Sequence, residues 1–155
     1  MFCRTPGNRI DTLEATQYHL TETTMTFFFH ELLMVLATLC MLTAVSAAVF
    51  FRHSRYWLKI HKSFNSISGI FLFSGAIMAI IMIWQQKGEH LDGFHPIAGS
   101  ITIGLAIVSL FLGFYQSKVK TRRQVLKTLH IWLGRLCVLS IIVALLAGLV
   151  RAGII

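Results

Sequence analysis

Apolar residues in this chain gather in four blocks instead of recurring at amphipathic spacing. They are LLMVLATLCMLTAVSAAVFF (32–51), FNSISGIFLFSGAIMAIIMIW (64–84), PIAGSITIGLAIVSLFLGFY (96–115) and LCVLSIIVALLAGLV (136–150). The first three carry no charge over about 20 residues, the length of helix that crosses roughly 30 Å of hydrocarbon. The fourth reaches that length only by running back through Arg135 to about Lys127. The pattern predicts an all-α membrane protein, a four-transmembrane-helix up-down bundle. A polar N-terminal tail over 1–24, containing RTPGN and TETT, precedes a membrane domain over 25–155. The first apolar run begins late and is too long for the core of a secretory signal, so no cleaved leader is expected. Met25, just ahead of that run, is an alternative start of translation.

Charge then orients the bundle. Arg52, Arg55, Lys59 and Lys62 stand between the first two blocks, and Lys118, Lys120, Arg122, Arg123 and Lys127 between the last two. All six acids, Asp11, Glu14, Glu22, Glu31, Glu89 and Asp92, fall in the N-terminal segment or between blocks two and three. Basic loops stay cytoplasmic, which puts both termini and the 87–94 connection on the non-cytoplasmic side. The net charge of +8 thus expresses topology and contact with anionic lipid. Nucleic-acid binding is excluded, since no soluble face interleaves these bases with aromatics. Cys3, Cys40 and Cys137 form no CxxC or CxxCH, so zinc, iron–sulfur and covalently attached c-type haem are not indicated.

The candidate chemistry lies in histidine. Of seven, His30, His61, His95 and His130 stand at the mouths of the four predicted helices, one each. Helices one and three run inward and two and four outward, so His30 and His95 share the outer side and His61 and His130 the cytoplasmic side. In an up-down bundle these partners face each other diagonally. Two imidazoles so placed suit a flat cofactor clamped between them, as in bis-histidine b-type haem. Gly99 and Gly134 follow His95 and His130 by one turn, which leaves room for a macrocycle beside the ligand; Gly104 and Gly113 are assigned to helix packing. Glu31, Ser63, Asn65, Ser100 and Thr128 are near enough in sequence to accept an imidazole N–H. Lys127, the Arg52, Arg55, Lys59 and Lys62 group that flanks the cytoplasmic pair, and Arg135 are candidate partners for haem propionates, with Arg135 divided between that role and a snorkelling anchor. His19 and His53 are expected to be solvated, and His90 is the rival of His95 as ligand.

The ordered set HELLMVLATLCMLTAVSAAVFFR (30–52), RYWLKIHKSF (55–64), FHPIAGSITIGL (94–105) and LKTLHIWLGRL (126–136) resembles the cytochrome b561 family. It is most similar to the shorter bacterial, archaeal and DOMON-linked cores. The resemblance spans about residues 28–150 and implies two haem b groups, the outer on His30 and His95 and the cytoplasmic one on His61 and His130. It also implies electron transfer across the membrane, from a quinol, ascorbate-like or protein donor to an acceptor on the other side. The chain departs from the ascorbate-reducing animal and plant members. It has four helices where those have six, and its third helix opens FHPIAG where theirs places Ser-Trp after the histidine. A small core relaying between a quinol or soluble redox protein and an external acceptor fits better.

Two other readings remain open from the sequence. One is a haem-bearing membrane anchor subunit of a larger quinone-linked oxidoreductase, with the polar tail as docking arm. The other is a cofactor-free bundle, a scaffold or a transporter that uses histidine for protons or metal. The Gly-rich helix faces suit a homodimer or a larger redox complex.

Overall fold

The computed structural model describes residues 9–85, 93–119 and 123–154. It contains four helices: α1, Arg9–Phe50; α2, Trp57–Gln85; α3, Phe94–Lys118; and α4, Arg123–Arg151. Each contains a stretch long and apolar enough to cross a membrane, over Thr24–Phe50, Trp57–Trp84, Phe94–Lys118 and Gln124–Arg151. In hydrocarbon every backbone polar group must be paired within the segment, which leaves the helix as the available form for such blocks. Only 17% to 28% of each span is buried within the protein, so most of its Leu, Ile and Phe surface is presented outward, to lipid. The chain is an integral, multi-pass membrane protein.

Much of the polar N-terminal segment is helical, because α1 begins at Arg9. Leu13, Glu14, Ala15 and Gln17 are good helix formers, and extending an existing helix costs far less than starting one. The first block is closed by a turn over 51–56, in which Arg52 Nε donates to the Ala48 carbonyl (2.7 Å) and so occupies the helix end. Pro96 falls in the first turn of α3, where its missing N–H has no helical partner to lose. The last helix ends in a Schellman motif. Gly153 takes φ +69°, and the N–H groups of Gly153 and Ile154 donate to the carbonyls of Val150 and Leu149.

Around the bundle α1 packs along α2 and α3 along α4, and these two hairpins touch more sparsely through α1–α4 and α2–α3. Among the described residues the backbones of α1 and α3 stay more than 8 Å apart at every Cα pair, as do those of α2 and α4. These pairs are the diagonals.

All four helices use one seam in one register. Seven and eleven residues after His30, His61, His95 and His130 come Ala37 and Met41, Ser68 and Leu72, Thr102 and Ala106, and Cys137 and Ile141. All eight are at most 7% exposed. Steps of seven and then four keep these positions on one face of each helix. Midway along the seam, Ser68 donates to the Ala37 carbonyl (2.8 Å), joining α1 to α2. Thr102 donates to Ala98 O, and the Ser140 hydroxyl meets its oxygen at 2.7 Å, joining α3 to α4. Among the described residues no buried side-chain polar atom lacks a partner.

Candidate functional site

Each seam begins with a histidine, and each of these histidines bonds to the backbone of the helix beside it in its own hairpin. His30 Nδ1 lies 2.8 Å from Gly75 O, and His61 Nδ1 lies 2.9 Å from Ala44 O. His95 Nδ1 lies 2.9 Å from Ala144 O, and His130 Nδ1 lies 3.1 Å from Ser109 O. A carbonyl oxygen only accepts, so each Nδ1 carries the proton and donates it. In the neutral ring Nε2 then keeps an unprotonated lone pair, the form in which imidazole ligates a metal.

A single spacing rule generates all four bonds. Ala44 stands 14 residues after His30, Gly75 14 after His61, Ser109 14 after His95 and Ala144 14 after His130. Fourteen residues are four turns less about 40°, so histidine and carbonyl share a face, with about 21 Å of helix between them. In each hairpin the start of one helix therefore lies level with the far end of the other. The imidazoles fall in two layers, one toward each membrane surface.

Within a layer the rings meet across the hairpins. The centroids of His30 and His95 are 6.3 Å apart with planes at 82°, and those of His61 and His130 are 6.1 Å apart at 85°. His30 with His95 and His61 with His130 are the juxtapositions the topology predicts. Among the described residues no group of three or more His, Cys, Asp or Glu converges as a metal site requires. The pairs suit an ion whose remaining bonds come from elsewhere, such as a macrocycle. The donor chemistry of each pair fits a haem, whose own ring nitrogens supply the remaining bonds.

Glycine makes room for two of the rings. A Cβ at Gly113 would stand 3.0 Å from Cε1 of His130, and one at Gly148 would stand 3.0 Å from Cε1 of His95. Gly113, read from the sequence as a packing residue, thus seats an imidazole, and Gly148 does the same at the other layer. Each stands four residues past a carbonyl acceptor, a relation visible only once the 14-residue rule is known. Around Gly99 nothing lies within 4 Å of where a Cβ would project, and at Gly134 the nearest atom is Ser109 Oγ at 4.0 Å. Gly99 thus borders open space, and a side chain at Gly134 would meet Ser109 at ordinary contact distance. Gly134 lines a cavity with His61 and His130, walled by Met41, Leu72, Ala106 and Cys137.

Of the predicted cations, Lys62 lines the cavity and the others fall elsewhere. Arg52 is exposed and tied to the end of α1, and Lys127 is exposed. Arg135 is exposed and lies over the Trp132 ring at 5.1 Å. The cationic side chain in the cavity wall is Lys62, with Asn65 and Gln116; at the other layer Arg151 shares an open groove with His95. Of the expected side-chain acceptors, Ser100 and Thr128 donate back into their own helices, to Pro96 O and Gln124 O, and Ser63 is exposed. Asn65 does reach His61, with its amide nitrogen against the ring. His53 is exposed in the turn before α2, and His90 lies outside the described residues.

The family model described as eukaryotic cytochrome b561 matches residues 29–155, which takes in the four spans from just before His30 onward. No curated protein matches the chain, and no solved structure does.

Proposed function

The chain belongs to the cytochrome b561 family, which makes it a haem b protein of transmembrane electron transfer, and from that premise we propose a two-haem conduit. His30 and His95 hold one haem at the non-cytoplasmic layer, and His61 and His130 hold the other at the cytoplasmic layer.

The observation that carries this reading is the pair of ring separations. Two imidazoles that held one iron between them, each with a metal–nitrogen bond of about 2 Å and its own ring radius added, would set their centroids about 6 Å apart. Both layers stand at that separation. Four donated Nδ1–H bonds support it further, since an imidazole whose second nitrogen is engaged is oriented and made a better donor. When bound, haem supplies one-electron chemistry at iron. The protein's own residues orient the ligands, keep the interior dry with the Met41–Leu72–Ala106–Ile141 seam, and hold the layers about 21 Å apart, from 14 residues at 1.5 Å rise. Lys62 at the cavity wall is the propionate partner we assign to the cytoplasmic haem. Gly99 and Gly134 give the macrocycle space. The basic ends of α1–α2 and α3–α4 face the cytoplasm, and the donor is a quinol or a soluble redox protein.

The experiment is a reduced-minus-oxidised spectrum of the protein purified in detergent, with a pyridine haemochrome count. Two b haems per chain are expected. His61→Ala and His130→Ala should each remove the same spectral component, and His30→Ala and His95→Ala the other. A component shared by His30→Ala and His61→Ala overturns the pairing, and a colourless wild-type preparation overturns the function.

A further inference from the structure

We propose that Asn65 is a positioning residue that fixes the rotation of the His61 imidazole and so makes the cytoplasmic haem site unlike the outer one. The inference rests on the ligand assignment above.

A hydrogen bond at Nδ1 and a ligand bond at Nε2 define a line through an imidazole but leave the ring free to turn about it. That rotation sets the angle between the planes of two axial rings. At three of the four histidines the residue one turn on supplies no polar hydrogen: Met34 after His30, Gly99 after His95 and Gly134 after His130. After His61 it is Asn65, partly buried, with Nδ2 3.2 Å from Nε2 and 3.3 Å from Nδ1.

Near-equal distances to both ring nitrogens place the amide over the ring face, because an in-plane approach that close to both would collide with Cε1. The Nδ1 proton is already committed to Ala44 O. The contact is therefore an amide N–H resting on a π face, weak but directional, and it leaves the in-plane lone pair of Nε2 open to iron. Trp57, one turn earlier, adds a second constraint, its ring 6.4 Å from that of His61 and tilted by 43°. The matching positions before His30 and His130 are Thr26 and Leu126. His61 is thus held within its own helix by a Trp before it and an amide after it, an environment His30 and His130 lack.

The test is electron paramagnetic resonance of the oxidised, haem-loaded protein with a redox titration. The spread of g values of a low-spin ferric haem depends on the angle between its axial imidazole planes. Asn65→Ala should change that spread for one haem signal, the one lost in His130→Ala, and leave the other unchanged with haem content preserved. The midpoint potential of the same component should fall, because an N–H against the ring no longer draws electron density from the ligand. Should Asn65→Ala fail to load haem, the isosteric Asn65→Leu, which keeps the bulk and removes the N–H, carries the same expectation. Unchanged g values and potential with both haems present overturn the proposal, as does loss of the haem from both variants, which would make the role one of retention. Haem-free wild type instead overturns the ligand assignment, and this inference with it.

Discussion

An imidazole at a helix mouth can turn to water, to lipid or to a ligand, and the group that takes its Nδ1 proton decides which. Here that group is a main-chain carbonyl four times over. The histidines were legible because each is a polar residue at the edge of an apolar block. Their partners were not, since every residue carries a carbonyl and nothing in a side chain marks the one that is used. The seats at Gly113 and Gly148 were hidden for a related reason. The first lies 17 residues before the ring it accommodates and the second 53 after, and only the hairpin register brings them together. Gly148→Val would set a Cβ 3.0 Å from His95 Cε1. Overpacking of this kind costs about 1–3 kcal/mol, and haem content should fall by about half as the outer site empties. Gly113→Val should do the same to the cytoplasmic site, and difference spectra separate the two. Arg135→Gln is the contrasting case. Its guanidinium stacks on Trp132 away from the cavity lining, so both spectral components should survive. Thermal stability should fall by at most ~0.5–1 kcal/mol, the worth of an exposed cation–π pair.

Periodicity is the property of the elements that matters. Histidine at the first seam position, small or apolar residues at seven and eleven, and an accepting carbonyl at fourteen recur in α1, α2, α3 and α4. The four helices were plain from block length alone, and their burial pattern was not. In a soluble bundle polar residues outline the buried stripe, whereas here Leu and Ile face lipid as readily as core, because hydrocarbon is no worse a neighbour than another helix. The signal that does separate the faces is size: Ala37, Ala44, Ser68, Ala98, Thr102, Ala106 and Ala144 are buried, and Leu39, Ile70, Ile77, Phe111 and Leu139 are exposed. One alanine inserted after Gly104 should expose the register directly. It rotates everything beyond it by about 100° relative to His95, carrying Ser109 O and Gly113 away from His130. The cytoplasmic haem should be lost and the outer one kept; survival of both would refute the fixed 14-residue register.

For the whole molecule, the basic residues at one end argue for sidedness. His53 is exposed in the turn between α1 and α2, so a His53→Cys protein that also carries Cys3→Ser, to remove the thiol of the outer tail, should resist a membrane-impermeant maleimide in intact cells and react after permeabilisation. Labelling before permeabilisation would invert the topology. The distribution of polar bonds has a further consequence. Every Nδ1–H bond, and both hydroxyl bonds at the seam's midpoint, closes within a hairpin, whereas the ring pairs face each other between hairpins. Each half of the polypeptide thus arranges its own two histidines unaided, and beyond the shared apolar seam of Met41, Leu72, Ala106 and Ile141 the proposed porphyrins would be what rivets the halves together. Severed between α2 and α3 and expressed as two fragments, the protein should reassemble when haem is supplied and drift apart in detergent when it is withheld.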